Sequence, residues 1–266
     1  MFNWLKLSVA KIIQTPRTDG SSAYKNIADH SFEAGRLEEA AEFYLKAIAI
    51  NPAFAAAYNN LGNVCCELNK HDEAEHYLKQ AILIRPELAN PYCNLGSLQL
   101  KRGKLQEAIV NLNKALELNP DAEIIYRDLC YAYFQLGQYQ TAKKIISQGL
   151  SVNPESSDFH LSLGNLHFFA NEFDLAIRCY TKALQIQPNS PVALINLGKI
   201  FKEQGKLIES LSCYNNALAL QPDHWMALSM ALHLMQILCK WENIDEYIKY
   251  LRKALVQPPS IVPNML

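Results

Sequence analysis

The sequence has no excess of either charge and no long apolar run. Its 25 lysines and arginines balance 26 aspartates and glutamates, whereas nucleic-acid-binding proteins usually carry a basic excess or a basic stripe. We therefore expect no nucleic-acid partner. Polar residues interrupt the longest apolar stretches well before the ~20 residues of a membrane-spanning helix, so no transmembrane segment is expected.

The first residues also lack the pattern of a secretory signal. Lys6 and Lys11 lie inside the apolar pattern of the N-terminus rather than ahead of it. The seven cysteines are odd in number and have no CxxC spacing, which favours reduced thiols over a disulfide framework. We expect a soluble, cytoplasmic protein.

The sequence lacks the motifs of catalysis and of cofactor binding. It contains no HExxH, GxxxxGK[ST] or GxSxG, and no GxGxxG after a strand. His160 and His167 are two helical turns apart, which exceeds the i, i+4 spacing of helical zinc sites. We therefore predict that this chain has no enzymatic activity, no cofactor and no metal.

What the sequence does contain is a strict period. Six prolines follow one another at intervals of 34 residues: Pro52, Pro86, Pro120, Pro154, Pro188 and Pro222. When each 34-residue unit is numbered so that this proline is position 32, the first unit begins at Ser21. Positions 8, 20 and 27 are then small, position 24 is large and apolar, and position 15 is always Gly or Asn.

These columns predict two antiparallel helices in each unit. Small residues let two helix backbones approach closely, and large ones fill the gaps between them. Gly or Asn at position 15 supplies the left-handed conformation that ends a first helix. Proline at position 32 stops the second helix, because it lacks a backbone donor and disfavours helical geometry in the preceding residue.

The period and the columns resemble those of the tetratricopeptide-repeat (TPR) family. The resemblance covers six units over residues 21–222. It implies an all-α fold, a right-handed superhelix of antiparallel helix pairs, and a role as a protein-binding scaffold. Residues 223–266 continue the period in a degenerate form, which is typical of the capping repeat that ends a solenoid, followed by a C-terminal tail.

Residues 1–20 lie outside the period. Phe2, Leu5 and Val9 fall on one face of a predicted helix. That face either covers the apolar edge of the first unit as a cap or lies on a membrane surface. The cap is the preferred interpretation, since one apolar face with two lysines gives weak membrane affinity.

A second resemblance concerns the end of the repeats. Cys239, Trp241 and Glu242 form a Cys-x-Trp-acidic pattern that precedes Pro258 and Pro259. This pattern resembles the junction that follows the repeats of O-GlcNAc transferase and of the related SPINDLY-like glycosyltransferases. The resemblance implies an alternative function, the non-catalytic half of a peptide O-glycosyltransferase that recruits substrates. No catalytic residue of that family has a counterpart here.

The candidate binding site lies on the first helices of the units, which in this family line a concave groove. Position 6 is small and polar throughout, with Asn26, Asn60, Asn94, Asp128, Ser162 and Asn196. Position 9 adds Asn63 and Asn165. In O-GlcNAc transferase the equivalent asparagines hold a peptide by its backbone, and the resemblance implies the same role for the four asparagines at position 6.

Two alternatives remain open for these surfaces. The asparagines are expected to face solvent and bind peptide, but they also suit a soluble groove or bonds between adjacent helices. Tyr131, Phe134, Phe168 and Phe169 form an aromatic patch that either binds a partner or packs between units. The sequence therefore predicts a partner that is a protein or a peptide.

Overall fold

The computed structural model describes residues 20–239 and residue 248. In chain order its helices are α1 Gly20–Glu33, α2 Leu37–Ile50, α3 Ala55–Glu67, α4 His71–Ile84, α5 Ala89–Lys101, α6 Leu105–Leu118, α7 Glu123–Gln135, α8 Tyr139–Val152, α9 Ser157–Phe169, α10 Phe173–Ile186, α11 Pro191–Glu203, α12 Leu207–Leu220 and α13 Trp225–Ile237. The described residues contain no strand, so the predicted all-α class is confirmed. None of the described helices combines the length and the hydropathy that crossing a membrane requires.

The chain consists of two compact units, residues 1–132 and 133–266. In the first unit α1 packs on α2, α3 on α4 and α5 on α6. In the second unit α9 packs on α10 and α11 on α12. The odd-numbered helices are the first helices of the sequence period, and the even-numbered helices are the second helices. Residues 1–19 of the predicted capping segment lie outside the described residues, and so do the residues beyond Cys239 apart from residue 248, including Trp241 and Glu242.

Hydrogen bonds between the helices of a pair show that they are antiparallel. Ser157, at the start of α9, donates to the carbonyl of Ala183 near the end of α10 over 3.3 Å. Ser210, near the start of α12, donates to the carbonyl of Gly198 in the middle of α11 over 2.7 Å. Position 1 therefore lies opposite position 27, and position 8 opposite position 20, as the small-residue columns predict.

Left-handed residues end the first helices. Position 15 has a φ between 57° and 73° in all six units, at Gly35, Asn69, Gly103, Gly137, Asn171 and Gly205. In the first 34-residue repeat this geometry lets the N–H of Arg36 donate to the carbonyl of Ser31 over 2.8 Å. Cys239 takes the same conformation, with a φ of 51°, after α13, so α13 ends in the manner of the regular repeats.

Proline ends the second helices in the way that the sequence predicts. The last helical residue of α2 is Ile50, and Asn51 then adopts an extended φ of −127° and ψ of 90° immediately before Pro52. The N–H of Asn51 still donates to the carbonyl of Ala47. The proline thus removes no hydrogen bond that α2 would otherwise form.

Where position 8 is glycine, it lies directly against the large side chain at position 24 of the paired helix. A Cβ atom added to Gly62 would lie 2.7 Å from Cγ of Leu78, and one added to Gly164 would lie 2.6 Å from the ring of Tyr180. Atoms this close would overlap, so even one extra carbon has no room. The large residue at position 24 therefore requires the small residue at position 8.

Candidate binding surface on the first helices

First helices of neighbouring pairs contact one another, α3 with α5 in the first unit and α9 with α11 in the second. The surface that they share carries the residues at positions 2, 5, 6, 9, 12 and 13. We call it the first-helix face. In each compact unit this face carries some of the predicted asparagines and also a cavity.

Asparagines at position 6 join neighbouring first helices. Nδ2 of Asn60 on α3 donates to Oδ1 of Asp29 on α1 over 3.1 Å. Nδ2 of Asn196 on α11 donates to Oδ1 of Asn165 on α9 over 2.9 Å. In both cases position 6 of one repeat bonds position 9 of the repeat before it, so the bond helps to fix the spacing of successive repeats.

The middle repeats of the first unit use variants of this contact. Nδ2 of Asn94 donates to Oδ1 of Asn59, at position 5, over 2.9 Å. At the next repeat the direction reverses, because Ser97 Oγ donates to Oδ2 of the buried Asp128 over 2.5 Å. The departure from asparagine at Asp128 is thus accommodated by exchanging donor and acceptor.

These bonds correct the expectation that the position-6 side chains only face solvent. Asn60, Asn94 and Asn196 are half-buried, whereas Asn26 is exposed on α1. The role between adjacent helices, which the sequence left open, is therefore present in the structure. An asparagine amide has two N–H groups, and each of these three side chains spends one of them on the neighbouring helix.

Position 9 is the centre of a small polar network in two of the repeats. Oδ1 of Asp29 accepts from the buried Tyr44 hydroxyl over 2.6 Å, in addition to Asn60. Burial alone would raise the pKa of the Asp29 carboxyl, but hydrogen bonds from Lys25, Tyr44 and Asn60 and the charge of Lys25 lower it below its ordinary value. Oδ1 of Asn165 accepts from the Tyr180 hydroxyl over 2.6 Å in the same way.

A cavity lies beside each of these two networks. The cavity of the first unit has a volume of about 210 Å³ and is lined by Phe32, Glu33 and Asn63 besides the network residues Asp29, Tyr44 and Asn60. The cavity of the second unit has a volume of about 190 Å³. Both lie at the same place in the repeat, between positions 9, 12 and 13 of one first helix and positions 6 and 9 of the next.

The cavity of the second unit, which we call the Lys199 cavity, has apolar walls and a polar edge. Its apolar lining consists of Phe168, Phe169, Val192, Ile195 and Met226. Its polar lining consists of Asn165, Asn196, Lys199, His224 and Tyr180. Asn165 and Phe169 occupy the positions that the acidic residues Asp29 and Glu33 have in the first cavity.

Lys199 is a half-buried cation in this cavity. Its Nζ donates to Oδ1 of Asn196 over 3.2 Å, and no carboxylate of the described residues forms an ion pair with it. Burial lowers the pKa of its ammonium group. Lys199 and His224 were not among the predicted site residues, although Lys199 is the single cation at position 9 in the sequence.

The predicted aromatic patch is brought together in part. The rings of Phe134 and Phe169 lie 4.7 Å apart and those of Phe168 and Phe169 lie 5.9 Å apart, both edge to face. Phe169 is 54% exposed, so the patch reaches the surface beside the Lys199 cavity. Tyr131 is half-buried and belongs to the first compact unit.

Tandem antiparallel helix pairs, with hydrogen bonds that recur between their first helices, define an α-helical repeat protein. Tetratricopeptide-repeat models match residues 53–121, 99–166, 157–190 and 179–211, and a TPR-repeat model matches residues 28–65. Together these matches cover residues 28–211 without a gap, which is well over half of the chain. The chain belongs to the tetratricopeptide-repeat family.

Solved structures have the same fold. The structure of the APC/C hetero-tetramer Cut9–Hcn1 matches with a TM-score of 0.72 at 16% identity, over 88% of this chain and 46% of that one. YrrB, a TPR protein with an unusual peptide-binding site, matches with a TM-score of 0.55 at 21% identity, over 74% and 99%. The pilF protein of Pseudomonas aeruginosa matches with a TM-score of 0.64 at 17% identity, over 77% and 93%.

At these low identities the structural similarity shows the fold alone, and the chain spans less than half the length of the Cut9–Hcn1 chain that it matches. No curated protein matches the sequence. The finer resemblance to O-GlcNAc transferase and the SPINDLY-like enzymes stays a prediction, because Trp241 and Glu242 lie outside the described residues.

Proposed function

We propose that this chain is a protein-interaction scaffold that holds an extended segment of a partner polypeptide on its first-helix face. The observation that carries the proposal is the recurrence of a cavity at the same place in the repeat in both compact units. Each cavity is bordered by an amide at position 6 and by a polar residue at position 9. A periodic surface of this kind suits an extended chain, which also presents its groups at regular intervals.

The asparagines supply polar contacts in this proposal. The second N–H of Asn60, Asn94 or Asn196 donates to a backbone carbonyl of the partner, while the first N–H holds the neighbouring helix. A donor that is already fixed by one hydrogen bond loses little freedom on binding, which reduces the entropic cost. Contacts to the backbone tolerate many partner sequences.

The aromatic patch supplies apolar contact. Phe134, Phe168 and Phe169 form a cluster whose outermost ring is exposed, and aromatic side chains of this kind dominate the energy of many protein interfaces. The name of YrrB records a peptide-binding site in a protein of similar fold. It supports a peptide as the kind of partner.

A random peptide library panned on the chain tests the proposal. We expect enriched peptides to bind the wild type and to lose about tenfold or more in affinity for Phe169→Ser, the loss of a well-placed aromatic contact. The matched control is Leu175→Ser, which removes an exposed apolar side chain from the second helix α10 and should leave binding unchanged. A library without enriched peptides, or equal losses in the two variants, would contradict the proposal.

A further inference from the structure

We infer that the Lys199 cavity selects an acidic residue next to a large apolar residue within the partner segment. The side-chain carboxylate pairs with Lys199, and the apolar side chain enters the cavity. This inference rests on the proposed function, since it specifies the sequence that one part of the first-helix face prefers.

The uncompensated charge of Lys199 is the first observation behind it. The Lys199 side chain is half-buried, burial lowers the pKa of its ammonium group, and among the described residues its side-chain partner is the neutral amide of Asn196. A desolvated cation without a counter-charge is costly, and a carboxylate supplied by a ligand removes that cost.

The second observation is that Lys199 interrupts the polar network that two other repeats with a tyrosine at position 24 form at position 9. Asp29 and Asn165 accept the hydroxyl of the tyrosine at position 24, but a lysine ammonium cannot accept a hydrogen bond. The equivalent tyrosine, Tyr214, has a buried hydroxyl that forms no hydrogen bond with position 9. A local choice that weakens the fold in this way is expected at functional positions.

A second donor lies on the same cavity. Nδ1 of His224 accepts from the N–H of Ala227 over 3.3 Å at the start of α13, so a neutral His224 carries its proton on Nε2. Burial lowers the pKa of His224, the nearby charge of Lys199 lowers it further, and the charge of the exposed Asp223 acts in the opposite direction. Lys199 and His224 thus both line the cavity, and each carries an N–H donor.

The apolar walls of the cavity determine which kind of residue lies beside the acidic residue in the partner segment. An apolar cavity of roughly 150 Å³ accommodates a benzene molecule, so the Lys199 cavity, at about 190 Å³, has room for the side chain of Leu, Ile or Phe. First helices lie on both sides of it, because α9, α11 and α13 all contribute lining residues. A segment on this face therefore continues past the cavity, and an internal side chain, rather than a chain terminus, supplies the carboxylate.

The test uses a display library of random internal segments flanked on both sides by fixed Gly-Ser sequences. It is panned on the wild-type chain, on Lys199→Met, on Lys199→Glu and on the control Lys144→Met, which removes an exposed lysine from the second helix α8. We expect Asp or Glu beside Leu, Ile or Phe to be enriched by the wild type and by Lys144→Met. Lys199→Met should lose the acidic preference, and Lys199→Glu should replace it with Lys or Arg.

A synthetic peptide gives the quantitative form of the test. The most enriched segment is made with both ends blocked, together with its Glu→Gln or Asp→Asn counterpart, and fluorescence anisotropy measures both. A hydrogen-bonded charge pair predicts about tenfold or more weaker binding of the amide peptide to the wild type, and equal binding of the two peptides to Lys199→Met. A third peptide carries the amide and a free C-terminal carboxylate; recovery of affinity by that peptide alone would overturn the assignment to a side chain.

The outcomes separate the two proposals. Enrichment without an acidic preference, or an acidic preference that survives Lys199→Met, overturns the inference and leaves the proposed function standing. A library that yields no binder on any variant contradicts the proposed function itself. Thermal melts accompany each variant, and Lys199→Met is expected to melt no lower than the wild type because it removes a desolvated charge.

Discussion

The hydroxyl of Tyr180 donates to Oδ1 of Asn165 over 2.6 Å. The same amide oxygen accepts from Asn196 of the following repeat, so one atom joins the two helices of a pair to the next pair. Tyr44 and Asp29 repeat this arrangement in the first unit. Position 9 therefore links the fold of a repeat to the stacking of its neighbours.

Tyrosine-to-phenylalanine changes test how much the hydrogen bond to position 9 contributes to the free energy of unfolding. Tyr180→Phe removes a hydrogen bond from a buried acceptor and should cost about 0.5–1.5 kcal/mol of unfolding free energy. Tyr214→Phe is the matched control, because the buried hydroxyl that it removes forms no hydrogen bond with position 9. It should be neutral or stabilising. Urea melts measure both, and equal losses would contradict the assignment.

Acid stability tests the network around Asp29. A carboxyl whose folded pKa is lowered contributes stability above its unfolded pKa, and that contribution is lost as the pH falls through the folded pKa. In Asp29→Asn an amide oxygen takes the place of the carboxylate oxygen, as Asn165 does in the fifth repeat. The hydrogen-bond acceptor is kept, but the side chain cannot titrate. We expect the variant to lose less stability than the wild type between neutral pH and about pH 3, below the ordinary Asp pKa of about 3.9. Parallel pH profiles from denaturant melts would show that Asp29 has no such role.

The asparagines of position 6 should affect stability as well as binding. Asn60→Ala and Asn94→Ala each remove a hydrogen bond between first helices and should cost about 0.5–1.5 kcal/mol. The double variant should also bind enriched peptides roughly tenfold more weakly, because hydrogen bonds to the peptide backbone are lost. Asn26→Ala is the control at an exposed position 6, with little effect on stability expected. Unchanged peptide affinity in the double variant would confine the asparagines to a structural role.

Overpacking tests the repeat register. Ala108, at position 20, is fully buried against the glycine of the paired helix, and Ala108→Leu should cost about 1–3 kcal/mol. The control Ala49→Leu enlarges an exposed position of the second helix α2 and should be nearly neutral. A melting temperature of Ala108→Leu equal to that of the control would place position 20 outside the helix contact.

Much of the fold could be predicted because it depends on local rules. Pro52 and its equivalents fix where the second helices end, and Gly35 and its equivalents fix where the first helices end, since each acts through its own backbone geometry. The partners of the asparagines could not be predicted in the same way. The Asn94–Asn59 bond joins residues 35 positions apart, and which acceptor it meets depends on how neighbouring repeats pack.

The Lys199 cavity shows the same limit at the candidate site. Position 9 could be read as a polar column with one lysine, but whether a carboxylate of the described residues forms an ion pair with Lys199 depends on the packing of α9, α11 and α13. The aromatic patch was likewise predicted for four residues, of which Phe134, Phe168 and Phe169 meet in the second unit. Their contact depends on edge-to-face ring orientations that no sequence pattern specifies.

The location of the bound segment tests the central claim most directly. An enriched peptide that carries a photo-crosslinking phenylalanine analogue at its large apolar position is irradiated on the full chain, and the crosslinked residues are identified by mass spectrometry. The account predicts crosslinks to residues of the first helices around the Lys199 cavity, such as Phe168, Phe169 and Ile195. Crosslinks confined to the second helices, for example around Leu175 or Ile208 on their exposed surfaces, would contradict it.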